Sequence, residues 1–456
     1  MSALWTSAEI ESATLGKVSH PFVTGGLSID SRTLREGDLY VAIKGENRDG
    51  HDFVAAALQA KAGAALVSKR PEGVSAEAPL LTVANTQRAL EDLACAARAR
   101  SDAKIVAVTG SAGKTTTKEM LKLAFGALGQ THASSASYNN HWGVPLSLAG
   151  LPREAAFGVF EIGMNHFGEI RSLVSFVRPH VALITTIAPA HLEFFGTMDA
   201  IADAKSEIFE GIVPGGAALI PADNPHAERL VARAKQHRVA RILTFGSKPG
   251  SDAQLLAYDE SAEGSRIKAD ILGHPVEFRI GAPGQHIASN ALGALLCIAA
   301  ADGDVRNAAA ALKEFIALKG RGARFIAGGV EVIDESYNAN PASMAAALTL
   351  LGKASGRRVV VLGDMLEMGT DAPAHHAGLA PALQTSHADL VFLCGPQMKA
   401  LWDVLPADRR TAYAPNSGEL VAQVVQALHA GDTVLVKGSN GSRMSVIIDA
   451  LKARSA

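Results

Sequence analysis

The residues that could do chemistry start with a glycine-rich turn, Gly110-Ser111-Ala112-Gly113-Lys114-Thr115-Thr116. Backbone N–H groups in such a turn, running into a helix N-terminus, make a nest for phosphate oxygens. Gly110 and Gly113 permit the turn, Lys114 can reach the terminal phosphates, and the Thr115 hydroxyl can ligate Mg²⁺. The usual pattern, Gly-x-x-x-x-Gly-Lys-Ser/Thr, asks for glycine where Val108 stands, so this is a variant loop whose first glycine is Gly110. A strand-like run before it and a helical stretch after it favour a nucleotide loop, for ATP or GTP, over a chance glycine turn.

Two other apolar runs end in useful groups. The run 158–160 leads into Glu161, and the run 181–187 leads towards His191. In an open parallel sheet the carboxyl ends of the strands share one edge, where ligands collect. Glu161 is then expected to face the same Mg²⁺ as Thr115, the alternative being a solvated loop carboxylate. Lys205 lies in Ile201-Ala202-Asp203-Ala204-Lys205-Ser206-Glu207-Ile208, a helical stretch with an apolar face, and its spacing alone predicts a solvent-facing lysine.

These groups need elements to hold them. Short apolar runs alternate with helical stretches through most of the 456 residues, the pattern of an α/β fold in more than one domain. Runs at 39–43, 64–67 and 80–83, with a helix near 53–61, predict a small N-terminal α/β domain over 1–83. A helical segment at 87–100 leads to the buried run 105–108, which ends on the glycine loop. Strands are expected at 158–160, 181–187 and 217–220, then a more polar β-rich stretch over 242–280 and a helix beginning near Asn290. That makes 84–319 a central, parallel-sheet domain of the phosphate-loop ATPase type. After Gly320-Arg321-Gly322 the pattern restarts with 330–333, 358–362, 390–394 and 433–436, each leading into a helix. Residues 320–456 therefore read as a doubly wound, Rossmann-like domain.

Composition narrows the function classes. A net charge of −2 marks no nucleic-acid binder, so any bound phosphate must be met by local loops. Cys95, Cys297 and Cys394 form no CxxC pair, which gives no zinc site and no disulfide framework. No basic stretch followed by an apolar core opens the sequence, and no long uncharged apolar run occurs. A cytoplasmic protein without a membrane span is expected.

The ordered motifs resemble the Mur ligase family. They are the loop 109–117, Tyr138-Asn139-Asn140-His141-Trp142-Gly143-Val144-Pro145, Glu161-Ile162-Gly163-Met164-Asn165, Ala188-Pro189-Ala190-His191-Leu192-Glu193, Lys205, Gly284-Gln285-His286-Ile287-Ala288-Ser289-Asn290-Ala291, Gly320-Arg321 and Lys437-Gly438-Ser439. Asp334-Glu335-Ser336-Tyr337-Asn338-Ala339-Asn340-Pro341-Ala342-Ser343-Met344 and Gly363-Asp364-Met365-Leu366-Glu367-Met368-Gly369 are similar to the family member that adds D-alanyl-D-alanine. The resemblance implies an ADP-forming amide ligase, expected to be a monomer, acting on UDP-N-acetylmuramoyl-tripeptide and D-alanyl-D-alanine.

It also implies residue roles. Lys114 would contact the ATP phosphates, Thr115 and Glu161 would hold one Mg²⁺, His191 would serve a second, and Lys205 would be a carbamylated lysine. His286 and Asn290 would approach the nucleotide from the central domain, and Arg321 and Asp334 from the third. Ser31, Arg32, Lys44, Asp49, His51, Asn139, Asn140, Asn338 and Asn340 are the expected substrate-binding residues. Pro221-Ala222-Asp223-Asn224 departs from the family's Asn-Ala-Asp-Asp, which leaves Asp223 and Asn224 outside the expected site. Two rivals stand beside this: a relative adding another amino acid, such as a folate-type glutamate ligase, and a regulatory protein using the loop as a nucleotide switch.

Overall fold

Runs that are apolar at every position can be buried on both faces only in a sheet covered on both sides, which is what parallel strands with crossover helices provide. A computed structural model describes residues 3–135, 137–261 and 264–454. Its N-terminal sheet has the parallel strands Gly26–Ser28, Asp38–Val41, Ala64–Val67 and Leu80–Thr82, with Lys17–Val18 antiparallel at the edge. Alternate residues serve opposite faces. Leu39, Val41 and Leu66 pack with Ile10, Leu90 and Leu93, whereas Tyr40, Ala65 and Val67 pack with Val54 and Ala57.

Helix Thr86–Ala99 starts where Asn85 accepts a hydrogen bond from Arg88 N–H, an N-cap that satisfies a free amide. Its Leu90, Leu93 and Ala97 belong to the N-terminal core, and its Ala94 belongs to the central one. The helix forms the seam between the two.

The central sheet has nine strands. Thr131–Ala133, Phe157–Glu161, Lys104–Thr109, Val181–Ile184, Ala217–Pro221, Arg241–Gly246 and Ala253–Ser261 run parallel in that order. The expected parallel sheet carries an antiparallel extension, Gly264–Ile271 and His274–Ile280, which is the polar β-rich stretch. Strand Lys104–Thr109 lies mid-sheet, with Val108 opposite Glu161 and Thr109 opposite Ile184, so three strand ends meet at one edge. Val106 and Val108 face helices Lys114–Gly126 and Gln285–Ala300, while Ile105 and Ala107 face the opposite layer.

The third sheet orders Ala323–Ala327, Val330–Glu335, Thr433–Lys437, Arg358–Gly363, Leu390–Cys394 and Ala412–Ala414, all parallel except the first. The short strands Ala323–Ala327 and Ala412–Ala414 were not expected, because neither has the continuous apolar character of a central strand. Glu161 is the last residue of its strand instead of the first of a loop, and the helix expected near Asn290 starts at Gln285. No helix among the described residues is long and apolar enough to cross a membrane.

Candidate active site

The turn between strand Lys104–Thr109 and helix Lys114–Gly126 depends on two glycines. Gly113 sits at φ +81° and Gly110 at φ +151°. A Cβ on Gly113 would lie 2.8 Å from Asn290 Oδ1, and one on Gly110 would lie 1.9 Å from Thr185 Oγ1, so only glycine fits either place. Ser111 N–H donates to Thr186 O (2.9 Å), and Ser111 Oγ accepts from Ala188 N–H (3.0 Å). Thr185 Oγ1 donates to Ala112 O. These bonds stitch the loop to the segment that ends at His191. Lys114 Nζ folds back over the turn and donates to Gly110 O at 2.7 Å. Burial lowers its pKa from the ordinary lysine value and Arg321 adds to the effect, while Glu161 opposes both.

Beside the loop, Glu161 is 1% exposed and both of its oxygens are engaged. Thr115 Oγ1 donates to Oε2 (2.8 Å), and Asn139 Nδ2 donates to Oε1 (2.7 Å). One hydroxyl and one carboxylate suit a cation that brings its remaining oxygens from phosphate and water, as Mg²⁺ does. No group of three or more His, Cys, Asp or Glu among the described residues could hold an ion by itself.

Lys205 corrects the expectation drawn from spacing. Helix Met198–Ser206 buries Ile201, Ala202, Ala204 and Lys205 together, leaving the lysine 1% exposed. No hydrogen bond or ion pair meets its amine among the described residues. Burial first, then repulsion from Lys114, holds its pKa well below the ordinary value. Burial with no partner among the described residues disfavours the charged ammonium there.

The third domain closes the site. Arg321 Nη2 donates to Ser137 Oγ (3.2 Å), its guanidinium stacks on the Tyr337 ring at 4.0 Å, and Ser137 in turn touches Thr115 Oγ1 (3.4 Å). Lys437, 1% exposed, donates to Glu335 Oε2 (3.0 Å) and Asn338 O (2.9 Å). Between the domains lies a cavity of about 380 Å³ on the phosphate loop, lined by His286, Asn290, Arg321, Asn338, Asn340 and Lys437 among others. Burial lowers the pKa of His286, which keeps its ring neutral. His191, at φ +58°, has its Nδ1 2.5 Å from Glu367 Oε2 of the third domain.

A second, larger cavity of about 1040 Å³ opens between the N-terminal domain and segment 138–142. Ser31, Arg32 and Lys44 line it, with Tyr40, Phe53 and Trp142 supplying aromatic faces. Asp30 orients Arg32 through a 2.7 Å ion pair, and the guanidinium's hydrogen bonds pull the Asp30 carboxyl down to about 2. An aromatic-walled cavity with cations at its rim suits a nucleotide-sugar with its diphosphate.

Three family profiles cover most of the chain: the Mur ligase family catalytic domain at 24–98, the Mur ligase middle domain at 108–298, and the Mur ligase glutamate ligase domain at 320–440. A ligase of Rickettsia prowazekii, named UDP-N-acetylmuramoyl-tripeptide--D-alanyl-D-alanine ligase, is 32% identical over 98% of this chain and 99% of its own. The enzyme of that name from Escherichia coli is 34% identical over 93% of each chain. The chain belongs to the Mur ligase family. A crystal structure of MurF from Acinetobacter baumannii superposes on this Mur ligase with a TM-score of 0.86, at 30% identity, covering 98% of this chain and 99% of the other.

In this Mur ligase the structure gathers Gly110 to Thr116, Glu161, Asn139, Asn290, His286 and Arg321 about one cleft. Other expected residues take supporting positions. Asp334 is fully buried and does not line the cavity. Its carboxylate accepts from Gly320 N–H (3.0 Å) and Ser336 Oγ (2.6 Å), which fixes the turn that carries Arg321. His51 is buried, with Nδ1 2.6 Å from Asp49 Oδ1 and Nε2 accepting from Ser68 N–H, so both residues brace the N-terminal cavity from behind. Asn140 accepts from Trp142 and Gly143 N–H, and Asn340 caps helix Pro341–Leu351.

Asp223 and Asn224, left out on sequence, line the nucleotide-side cavity, and Asn224 Nδ2 donates to Thr186 Oγ1 and Ile187 O. Ser137, Lys437 and Glu367 were also outside the expected site. Lys437 had a signal, its place at a strand end, but Ser137 and Glu367 show their partners only once distant segments meet.

Proposed function

We propose that this Mur ligase joins D-alanyl-D-alanine to UDP-N-acetylmuramoyl-tripeptide, converting ATP to ADP and phosphate and giving the UDP-muramoyl-pentapeptide precursor of peptidoglycan. The observation that carries the reading is the buried Thr115–Glu161 pair at the foot of the phosphate loop, in a cleft closed by Arg321. The names of its relatives support the choice of acceptor. The division of labour gives residues 1–83 to the UDP-sugar, 84–319 to ATP and metal, and 320–456 to the dipeptide and to closure over ATP. The chain acts in the cytoplasm as a monomer.

A carboxylate is a poor acyl donor because its leaving group would be oxide. Attack of the tripeptide's terminal carboxylate on the γ-phosphate releases ADP and forms an acyl phosphate. The free amine of the dipeptide then attacks the acyl carbon, phosphate leaves, and a proton is lost from nitrogen. Lys114 and Arg321 offset the charge gathered as two anions meet, in a site where water is scarce. Two Mg²⁺ ions, one on Thr115 and Glu161 and one served by His191, would supply further charge neutralisation. Asn290 and His286 sit against the nucleotide. Ser31, Arg32 and Lys44 hold the UDP-sugar, and Asn338 faces the cleft from the acceptor side.

The neutral amine of Lys205 is the form that adds to CO₂, giving a carbamate and a proton. The modified side chain would present anionic oxygens to the metal site where an ammonium would repel it.

Phosphate release from ATP is the test, with UDP-muramoyl-tripeptide and D-alanyl-D-alanine set against D-alanine, D-glutamate, lysine or diaminopimelate, and with product masses measured. Fast release only with the tripeptide precursor and the dipeptide supports the reading. Faster turnover of a dipeptide-bearing precursor with lysine or diaminopimelate would replace it, and acceptor-independent ATP turnover would favour the switch.

A further inference from the structure

His191 belongs to the central domain, yet its closest polar neighbour belongs to the third. Glu367 Oε2 lies 2.5 Å from His191 Nδ1. Both residues are non-glycine and both sit in the left-handed region, at φ +58° and +61°. Such backbone persists where surrounding contacts fix it, and it clusters at functional sites.

The contacts here cross the domain boundary. Glu193 N–H donates to Glu367 O at 3.2 Å. Gly369, at φ +68°, comes so close that a Cβ on it would lie 3.3 Å from Glu193 Cα. Leu192 packs against the apolar core of the third domain. The tip 191–193 is therefore hooked onto 367–369 by its side chain, its backbone and its apolar residue together.

We infer that Glu367 is a positioning residue: it holds the His191 ring from the third domain, so that His191 is set for the phosphate site only when the domains are closed. The inference rests on the role proposed above for His191. A histidine serving a metal or phosphate commonly gives its other ring nitrogen to a carboxylate, which fixes tautomer and orientation. Nδ1 lies against the Glu367 carboxylate as an ion-pair contact, without hydrogen-bond alignment, and Nε2 is the nitrogen left for the site. The two side chains are 21% and 42% exposed, so the pair adds little to stability. Orientation is what it contributes.

The test is a double-mutant cycle on phosphate release by the full chain, with ATP, UDP-muramoyl-tripeptide and D-alanyl-D-alanine saturating. Glu367→Gln and His191→Ala should each lower kcat roughly 10- to 100-fold. The ATP KM should stay near wild type, and more Mg²⁺ should be needed. The double variant should be no slower than His191→Ala alone, because Glu367 acts through His191. Glu367→Asp, too short to reach, should resemble Glu367→Gln. Thermal unfolding of each variant identifies any loss of fold, and the cycle is read from the Gln and Asp variants that melt like wild type. Additive losses, or a wild-type kcat in folded Glu367→Gln, overturn the inference. A wild-type kcat in His191→Ala overturns it together with the role of His191. No product from the wild-type chain, by contrast, would mark failure of the proposed reaction itself.

Discussion

Thr115 Oγ1 donates to Glu161 Oε2 at 2.8 Å across 46 residues of chain. The bond joins the first turn of the loop helix to the end of the neighbouring strand, and the parallel register of Val108 with Glu161 makes it possible. It places a hydroxyl and a carboxylate where a Mg²⁺ on the nucleotide would take both.

Glu161→Gln keeps the hydrogen bond from Asn139 but removes the charge. It should lower kcat by about 10-fold or more and raise the Mg²⁺ concentration needed for half-maximal rate. A Mg²⁺ titration of phosphate release checks this. An unchanged titration curve would take Glu161 out of the metal site.

Lys114→Ala should cut ligation by about 10²- to 10³-fold, the scale for losing one preorganised charge from a water-poor site. The fold should survive, because among the described residues the Lys114 amine bonds to the Gly110 carbonyl of its own loop. Near wild-type turnover at saturating ATP would remove its assignment.

Lys205→Ala should be nearly inactive, with part of the rate restored by a small carboxylate such as formate, which can occupy the space of the missing carbamate. The check is phosphate release with and without formate. If formate restores nothing and intact-mass spectra of native enzyme show no added CO₂, the carbamate is wrong.

His180 predicts a pH dependence of stability. Its Nδ1 accepts from Ile105 N–H at 2.9 Å, pinning the strand that carries the phosphate loop. Burial, with Arg98 and Lys104 nearby, lowers its pKa from 6.5 to about 4. The unfolded chain therefore binds the proton first, and stability falls as pH drops from about 6.5 towards 4. The ring is only half-buried, so solvent screening reduces the effect to about 1–2 kcal/mol. Melting curves across that window should show the loss, and His180→Asn should flatten the dependence. An equal slope in both proteins would show that other groups carry it.

Arg321 reaches Ser137 from the far side of a domain boundary, which predicts a closing motion. Small-angle scattering should show compaction when an ATP analogue and the UDP-precursor are both bound. An unchanged radius of gyration, with both ligands shown to be bound, would count against it.

The sequence by itself determined the phosphate loop and the three α/β blocks, because a glycine turn and a strand's apolar run are properties of consecutive residues. Gly110, Gly113, Lys114 and Thr115 stand in the fold much as their spacing implies. It could not rank Lys205, whose helix buries neighbours on more than one side, so period alone gave the wrong face. Nor could it separate residues that touch the cleft from residues that brace it. Asp334 and His51 were expected at bound ligands and turn out to hold backbone, whereas Asn224 departs from the family pattern and lines the cavity. Tertiary structure alone decided the pairing of His191 with Glu367 and of Arg321 with Ser137. Each joins segments that have no local reason to meet, and only the packing of one domain against another brings them within reach.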